Sequence, residues 1–312
     1  MGASHPKVSV IMNCLNGEKY LRGAIESVYA QTYPHWEIIL LDNASIDSTP
    51  EIVKSFDQRL RYFRNEKTVP LGQARNQALQ HVSGELIGFL DSDDLWLPNK
   101  LEKQVPLFQH SPSVGLVFSD TVLRFREEGR STTYFLNHGY RPPRGRIFSA
   151  LLKHYSIPML TVLVRATALK SLSQWFDDRY QVCDDFDFFL RLAYDWECDY
   201  ADEPLASCLI HGEAATARLH RLGPMEMAMT LDKFRSGYPG FEKKYSREIA
   251  DMGRQIAYKQ GLSYWRDGKK AEARAQFLRY PTSLKSVAAY CTTALPHEWV
   301  DGLRQWMKKK TH

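Results

Sequence analysis

An α/β fold built on a mostly parallel sheet is what the sequence predicts, and three observations lead there. Short apolar runs alternate with segments of helical periodicity through the first 120 or so residues, the pattern of strands joined by right-handed crossover helices. Leu86–Leu90 is apolar but for one glycine, as a strand covered on both faces must be. That run ends in three acids within four residues, Asp91, Asp93 and Asp94. Open α/β sheets bind ligands beyond the carboxyl ends of their strands, where Asp91, Ser92 and Asp93 would emerge.

The elements follow in order. Val8–Met12 is strand-like and runs into Asn13-Cys14-Leu15-Asn16-Gly17, after which Leu21, Ala24, Ile25, Val28 and Tyr29 recur at helical spacing. Trp36–Leu41 is a second apolar strand, and Ser48-Thr49-Pro50-Glu51 places a proline in the first turn of the next helix. Leu60–Phe63 is a third strand, Gly72–Val82 a helix with Ala74, Ala78, Leu79 and Val82 inward, and Leu86–Leu90 the fourth strand. A helix is expected from near Leu95 through Leu101 and Val105, and Asp93 or Asp94 would serve as its cap on the simplest reading. Clustered carboxylates repel one another and raise one another's pKa, so the alternative is that they hold a hard divalent cation. Val114–Asp120 gives a fifth strand, 124–146 a long polar excursion, and Ile157–Val164 strand character again.

Composition bounds the function. With 44% hydrophobic and 25% charged residues in 312, the chain has the make-up of a globular protein rather than a disordered one. The five cysteines are odd in number and lack a CxxC, which points to reduced thiols, a cytoplasmic location and no zinc site. No apolar run approaches the roughly 20 residues of a membrane span. From His220 onward there are 18 basic and 9 acidic residues, so the bases follow the acids in the chain.

Val8–Asn16, the turn Asp42-Asn43-Ala44-Ser45-Ile46-Asp47-Ser48-Thr49, the stretch Gly72-Gln73-Ala74-Arg75-Asn76 and Phe89-Leu90-Asp91-Ser92-Asp93-Asp94 stand in an order and spacing that resembles the inverting family 2 glycosyltransferases. The resemblance spans roughly residues 7–215. It implies a GT-A fold, Rossmann-like, with a nucleotide-sugar donor across the ends of the first and fourth strands. It further implies that Asn13 and Leu15 contact the nucleoside and that Asp42 and Asn43 read the base. Asn43 stands where a second acid often accepts a hydrogen bond from uracil, and its amide can donate as well as accept. Arg75 would lie near the diphosphate or clamp the acidic loop; its alternative is an exposed helix arginine. Asp91 and Asp93 match the DxD positions, which implies Asp91 toward the ribose and the metal, with Ser92 beside it on the nucleotide, and Asp93 directly on Mg2+ or Mn2+.

Further on, Asp184 and Asp185 fall where the family has an acidic pair at a helix start, and the resemblance implies that Asp185 is the catalytic base, with Asp184 the runner-up. An inverting transfer needs one carboxylate to take the acceptor's proton; a helix N-cap is the plain structural role for either. His211 ends the strand Glu203–Ile210 and is implied as a third metal ligand, a lone histidine at a strand end otherwise being structural.

The division expected is a catalytic domain over 1–219, its nucleotide-sugar half about 1–120 and its acceptor half about 121–219, followed by a basic helical region over 220–312. Within the latter, Tyr258, Gly261, Leu262 and Trp265 followed by Gly268, Ala271, Ala275 and Phe277 resemble one tetratricopeptide-like helix pair. Trp299, Val300, Leu303, Trp306 and Met307 line one side of a final helix before Lys308–Lys310. That face suits docking onto the catalytic domain or a peripheral contact with the inner membrane surface.

The reading is a cytoplasmic, metal-dependent inverting transferase of polysaccharide biosynthesis, moving a sugar from a nucleotide diphosphate, UDP first among them, to a hydroxyl of a glycan or lipid-linked acceptor, with no nucleic-acid partner. A sugar nucleotidyltransferase would need a glycine-rich basic loop after the first strand, where this chain has one glycine and an acid. A non-catalytic scaffold would have no use for so many clustered acids, which destabilise a fold when uncompensated.

Overall fold

The structure, a computed structural model, describes residues 5–109, 111–212, 218–219, 221–280 and 284–295. The chain divides into two compact units, Met1–Ala217 and Arg218–His312.

The first unit is a single sheet with helices packed against it. Its strands are β1 (Val8–Cys14), β2 (Trp36–Asp42), β3 (Leu60–Arg64), β4 (Leu86–Phe89), β5 (Leu95–Trp96), β6 (Val114–Phe125), β7 (Arg130–Thr133), β8 (Leu163–Arg165) and β9 (Glu197–Ile210). They lie in the order β3-β2-β1-β4-β8-β6-β9-β5, with β7 paired to the outer stretch of β6. β1, β2, β3 and β4 are mutually parallel, and β6 runs parallel to β9 along eleven registered positions. The two halves meet at an antiparallel seam where Leu86, Ile87 and Gly88 face Arg165, Val164 and Leu163.

The helices are α1 (Leu21–Tyr29), α2 (Thr49–Val53), α3 (Leu71–Leu79), α4 (Lys100–Gln104), α5 (Tyr134–His138), α6 (Phe148–Lys153), α7 (Ala166–Ser171) and α8 (Asp184–Asp195). The apolar spacing of α1 does what it predicts: Leu21, Ala24, Ile25 and Val28 are fully buried against Val8, Val10, Met12, Ile38 and Leu40.

Three expectations give way. No helix begins near Leu95; Leu95 and Trp96 form β5 and pair with Ser207 and Ala206. Trp96 settles this by packing its ring over Gly88, where a Cβ would come within 2.8 Å of it, while its indole N–H donates to the Leu160 carbonyl at 2.8 Å. Ile157–Val164 is a strand only from Leu163. Thr161 bonds back to the Pro158 carbonyl through both its N–H, at 3.0 Å, and its hydroxyl, at 2.7 Å, closing a 3₁₀ turn over Met159–Thr161. The fully buried Lys100 and Gln104 cap that turn, each donating to the Thr161 carbonyl. The polar excursion 124–146 carries β7 and α5, and Asp120 pins α5 by accepting the Phe135 N–H at 3.0 Å.

The second unit is helical: α9 (Gly223–Gly237), α10 (Phe241–Lys244), α11 (Ser246–Arg266), α12 (Lys270–Leu278) and α13 (Leu284–Thr292). α11 and α12 pack so closely that a Cβ on Gly261 would lie 2.5 Å from the Phe277 ring, and Trp265, Ala273, Phe277 and Ala289 form the core. The helix expected around Trp299–Lys310 lies outside the described residues. Among the described residues no helix is long and apolar enough to cross a membrane.

Candidate active site

The loops that leave the carboxyl ends of β1 and β2 are laced together. Asn16 donates its N–H to Ser45 Oγ at 2.8 Å and accepts the Ile46 N–H on Oδ1 at 2.9 Å; the N–H groups of Gly17 and Glu18 reach Thr49 Oγ1 and Asp47 Oδ2 at 2.9 Å each. Asn16 and Ala44 both take up left-handed backbone, with φ of 54° and 67°. In this frame Leu15 is left about half exposed, and Asn13 Nδ2 is buried with no hydrogen-bond partner among the described residues. A buried amide donor left unpaired costs about 1–3 kcal/mol.

Asp42 and Asn43 are placed differently from the base-reading role. Asp42 is fully buried; its Oδ1 accepts the Ser45 N–H at 2.8 Å and its Oδ2 the Tyr62 hydroxyl at 2.6 Å. Asn43 accepts the Val69 N–H at 3.0 Å and an Asn65 side-chain N–H at 3.1 Å, and donates to the Val69 carbonyl at 2.8 Å. Both residues therefore clamp backbone, and both lone-pair sites of the Asn43 oxygen are already taken.

Beyond β4 the acids separate by role. Asp94 is buried and accepts the Leu209 N–H at 2.9 Å, so it ties the end of β9 to the acidic loop; burial, with Asp91 and Asp93 nearby, pushes its pKa well above the usual carboxylate range. That tie brings His211 to Asp93, with Nε2 and Oδ2 3.0 Å apart and Asp93 partly exposed. Ser92 lies against the Cys14 thiol at the end of β1. Asp91 is likewise partly exposed, and burial together with Asp93 and Asp184 raises its pKa against the opposing pull of Arg75.

Arg75 is the hub. Only 6% of its side chain is exposed, which excludes the surface-arginine alternative, and its guanidinium donates to Asp184 Oδ2 at 2.5 Å and Asp91 Oδ1 at 3.2 Å. Burial alone would favour the neutral form, but the two carboxylates outweigh it and raise the Arg75 pKa. The arginine thus joins the acidic loop to the start of α8, 109 residues beyond Arg75 in the chain.

Asp184 is buried and committed to Arg75. Its neighbour Asp185 accepts its own helix's Phe186 N–H on Oδ1 at 2.7 Å and the Tyr155 hydroxyl on Oδ2 at 3.2 Å, which leaves lone pairs on both oxygens. Burial, then repulsion from Asp184, pushes the Asp185 pKa up to about 7, against the opposing effects of Arg75, Phe186 and Tyr155. A carboxylate of that proton affinity is poised to accept a proton near neutral pH. Tyr155 and the neighbouring Tyr134 went unnoticed in the sequence, where neither has a motif around it; only the folded chain puts them beside Asp185.

Among the described residues no three His, Cys, Asp or Glu side chains are gathered tightly enough to enclose a cation unaided. The donor set nonetheless fits one. Two groups bound to adjacent positions of an octahedral Mg2+ or Mn2+ stand about 3 Å apart, the Asp93–His211 separation. Mg2+ is commonly held by one or two carboxylates with substrate phosphates completing the shell. Even with Asp94 and Asp185 set aside for their raised proton affinity, the carboxyl groups of Asp91, Asp93 and Asp184 outnumber the one buried guanidinium among them, an arrangement that favours a cation.

The family model described as Glycosyl transferase family 2 matches residues 9–166. An uncharacterized glycosyltransferase of Methanocaldococcus jannaschii, MJ1057, is 33% identical over 208 residues, 64% of this chain and 69% of the relative. WfgD of Escherichia coli, named as a UDP-Glc:alpha-D-GlcNAc-diphosphoundecaprenol beta-1,3-glucosyltransferase, is 33% identical over 167 residues, 53% of this chain and 63% of the relative. The chain thus aligns with about two thirds of the length of each. Among solved structures, the mannosyltransferase PcManGT of Pyrobaculum calidifontis with GDP-Man and Mn2+ gives a TM-score of 0.63 at 20% identity, covering 94% of this chain and 80% of that one. S. aureus TarS 1-349 with UDP-GlcNAc gives 0.59 at 19% identity, covering 95% and 92%. At these identities the structural likeness is one of fold.

Proposed function

Because the chain belongs to glycosyltransferase family 2 and has the GT-A fold, we propose that it is a metal-dependent inverting transferase that carries a sugar from a UDP-sugar to a hydroxyl of a lipid-linked or free glycan. Residues 1–219 would be its catalytic domain and the basic helical region 220–312 an appendage to it. The observation that carries the reading is the Arg75 bridge, which hydrogen-bonds both Asp91 of the acidic loop and Asp184 at the start of α8. UDP is favoured as the nucleotide because WfgD, at 33% identity, is named for UDP-Glc; the solved neighbours divide between GDP-Man and UDP-GlcNAc. The lipid-linked acceptor rests on the name of WfgD alone.

In this reading Asn13 and Leu15 contact the nucleoside, Asp91 and Ser92 the nucleotide, and Asp93 with His211 would hold Mg2+ or Mn2+. The cation's contribution when bound is to neutralise the diphosphate as the sugar–phosphate bond breaks. Asp42 and Asn43 act through the backbone they clamp rather than by touching the base. Asp185 takes the proton from the acceptor hydroxyl as that oxygen attacks the anomeric carbon from the face opposite the leaving diphosphate. Asp184 and Arg75 fix the helix start that presents it.

Asp185→Asn should bind UDP in the presence of Mn2+ as the native enzyme does, yet lose transfer from UDP-glucose by about 10²–10⁴-fold. Asp93→Ala should lose Mn2+-dependent UDP binding itself. Asp185 must be ionised to act, so kcat/KM should rise with pH through about 7 and level off above it. Full transfer by Asp185→Asn would sink the assignment of the base.

A further inference from the structure

The hydrogen bond between Tyr155 and Asp185 is used by nothing in the mechanism so far, and it reaches the one carboxylate from which that mechanism needs a free lone pair. Asp185 Oδ1 is held from within α8 by the Phe186 N–H at 2.7 Å. Oδ2 is held from outside the helix, by Tyr155 in the link between α6 and the 3₁₀ turn, at 3.2 Å. A carboxylate gripped on one oxygen alone would still swing about its side-chain torsion, whereas one gripped on both has its remaining lone pairs aimed in set directions.

Resting on the reading of Asp185 as the base, we propose that Tyr155 is a positioning residue whose hydroxyl aims the Asp185 carboxylate at the acceptor and helps to keep it ionised. Tyr155 is itself well braced. Its ring meets that of Phe186 edge-on at 5.0 Å and 74°, so the residue after the base supports both the carboxylate, through its N–H, and the tyrosine that holds it. Burial and the charge of Asp185 keep the Tyr155 hydroxyl protonated far above neutral pH, so it remains a donor throughout the working range.

The groups bearing on Asp185 come from four elements. Asp184 lies beside it on α8, Arg75 faces it from α3, Tyr155 from the link after α6, and Tyr134 from α5. Cys183 bears in turn on Tyr155, and Asp120 on Tyr134. Asp184 and burial favour the protonated acid; Arg75, the Phe186 N–H and the Tyr155 hydroxyl favour the carboxylate. Of the three that favour ionisation, the Tyr155 hydroxyl can be deleted with little change of side-chain shape. Without it the proton affinity of Asp185 goes up, and the acid limb of the rate profile follows it to higher pH.

The test is a carboxyl 13C NMR titration of the full chain labelled at aspartate Cγ. The resonance of Asp185 is identified by its loss in Asp185→Asn. In the native protein it should titrate near 7, and in Tyr155→Phe its midpoint should move up by about half a unit to one unit, the worth of one hydrogen bond. A second measurement reads the tyrosine itself. With tyrosine labelled at Cζ, the resonance that is lost in Tyr155→Phe should, in the native protein, step with the Asp185 midpoint, and that step should vanish in Asp185→Asn. An unmoved midpoint in Tyr155→Phe, or a Tyr155 resonance that does not follow Asp185, overturns the proposal. Its failure is separable from that of the base itself, which is judged by whether Asp185→Asn still transfers glucose from UDP-glucose.

Discussion

Asn43 uses both edges of its carboxamide on one residue, taking the N–H of Val69 and giving to its carbonyl. A carboxylate in its place keeps the first bond and sets its other oxygen against the Val69 carbonyl. Asn43→Asp should therefore destabilise the protein by about 1–3 kcal/mol, seen as a lower unfolding midpoint. It should weaken UDP and GDP binding alike, because the Asn65–Val69 segment that leads into α3 loses its anchor. An unchanged midpoint with a sharpened preference for UDP would return Asn43 to reading the base. The contrast with Arg75 is instructive. Asn43 looked like a reader of the ligand and is a clamp on the backbone, whereas Arg75, open to being a surface residue, is buried between two carboxylates.

At the scale of elements, Gly88 shows how close the sheet comes to its cover. A methyl group there would meet the Trp96 ring at 2.8 Å and Leu163 at 3.0 Å, at the seam between the two halves of the sheet. Gly88→Ala should cost about 1–3 kcal/mol through overpacking, measured as a fall in the urea midpoint, and should disturb the acidic loop that follows β4. The same contact explains what could be read in advance. The four parallel strands and the helices between them were legible because each is a local pattern, apolar runs of strand length alternating with a 3.6-residue period. The acids of the site were legible from their clustering at the ends of those runs. β5 was not, because Trp96 is a strand residue only by virtue of Ala206 and Ser207, more than a hundred positions away. Tyr155 was invisible for the same reason: nothing beside it in sequence announces Asp185, thirty residues on.

For the whole molecule, the acids that surround Arg75 are held together by the fold against their own repulsion, so a bound cation and diphosphate should stabilise it. At a ligand concentration about 100-fold above Kd the gain is about 2.7 kcal/mol, a rise in Tm of about 5 °C or more. UDP with Mn2+ should give that rise, and EDTA should abolish it; a rise indifferent to EDTA would remove the metal from Asp93 and His211. The strand order carries a last consequence, for how the protein is made. β6 sits between β8 and β9, and β5 closes on β9. A nascent chain that has cleared the ribosome only as far as β6 therefore holds a row of unsatisfied backbone amides and an unsheltered tryptophan. Translation must run on past residue 207 before Trp96 finds its strand partners, so the early polypeptide is the stage at which a chaperone has the most to hide.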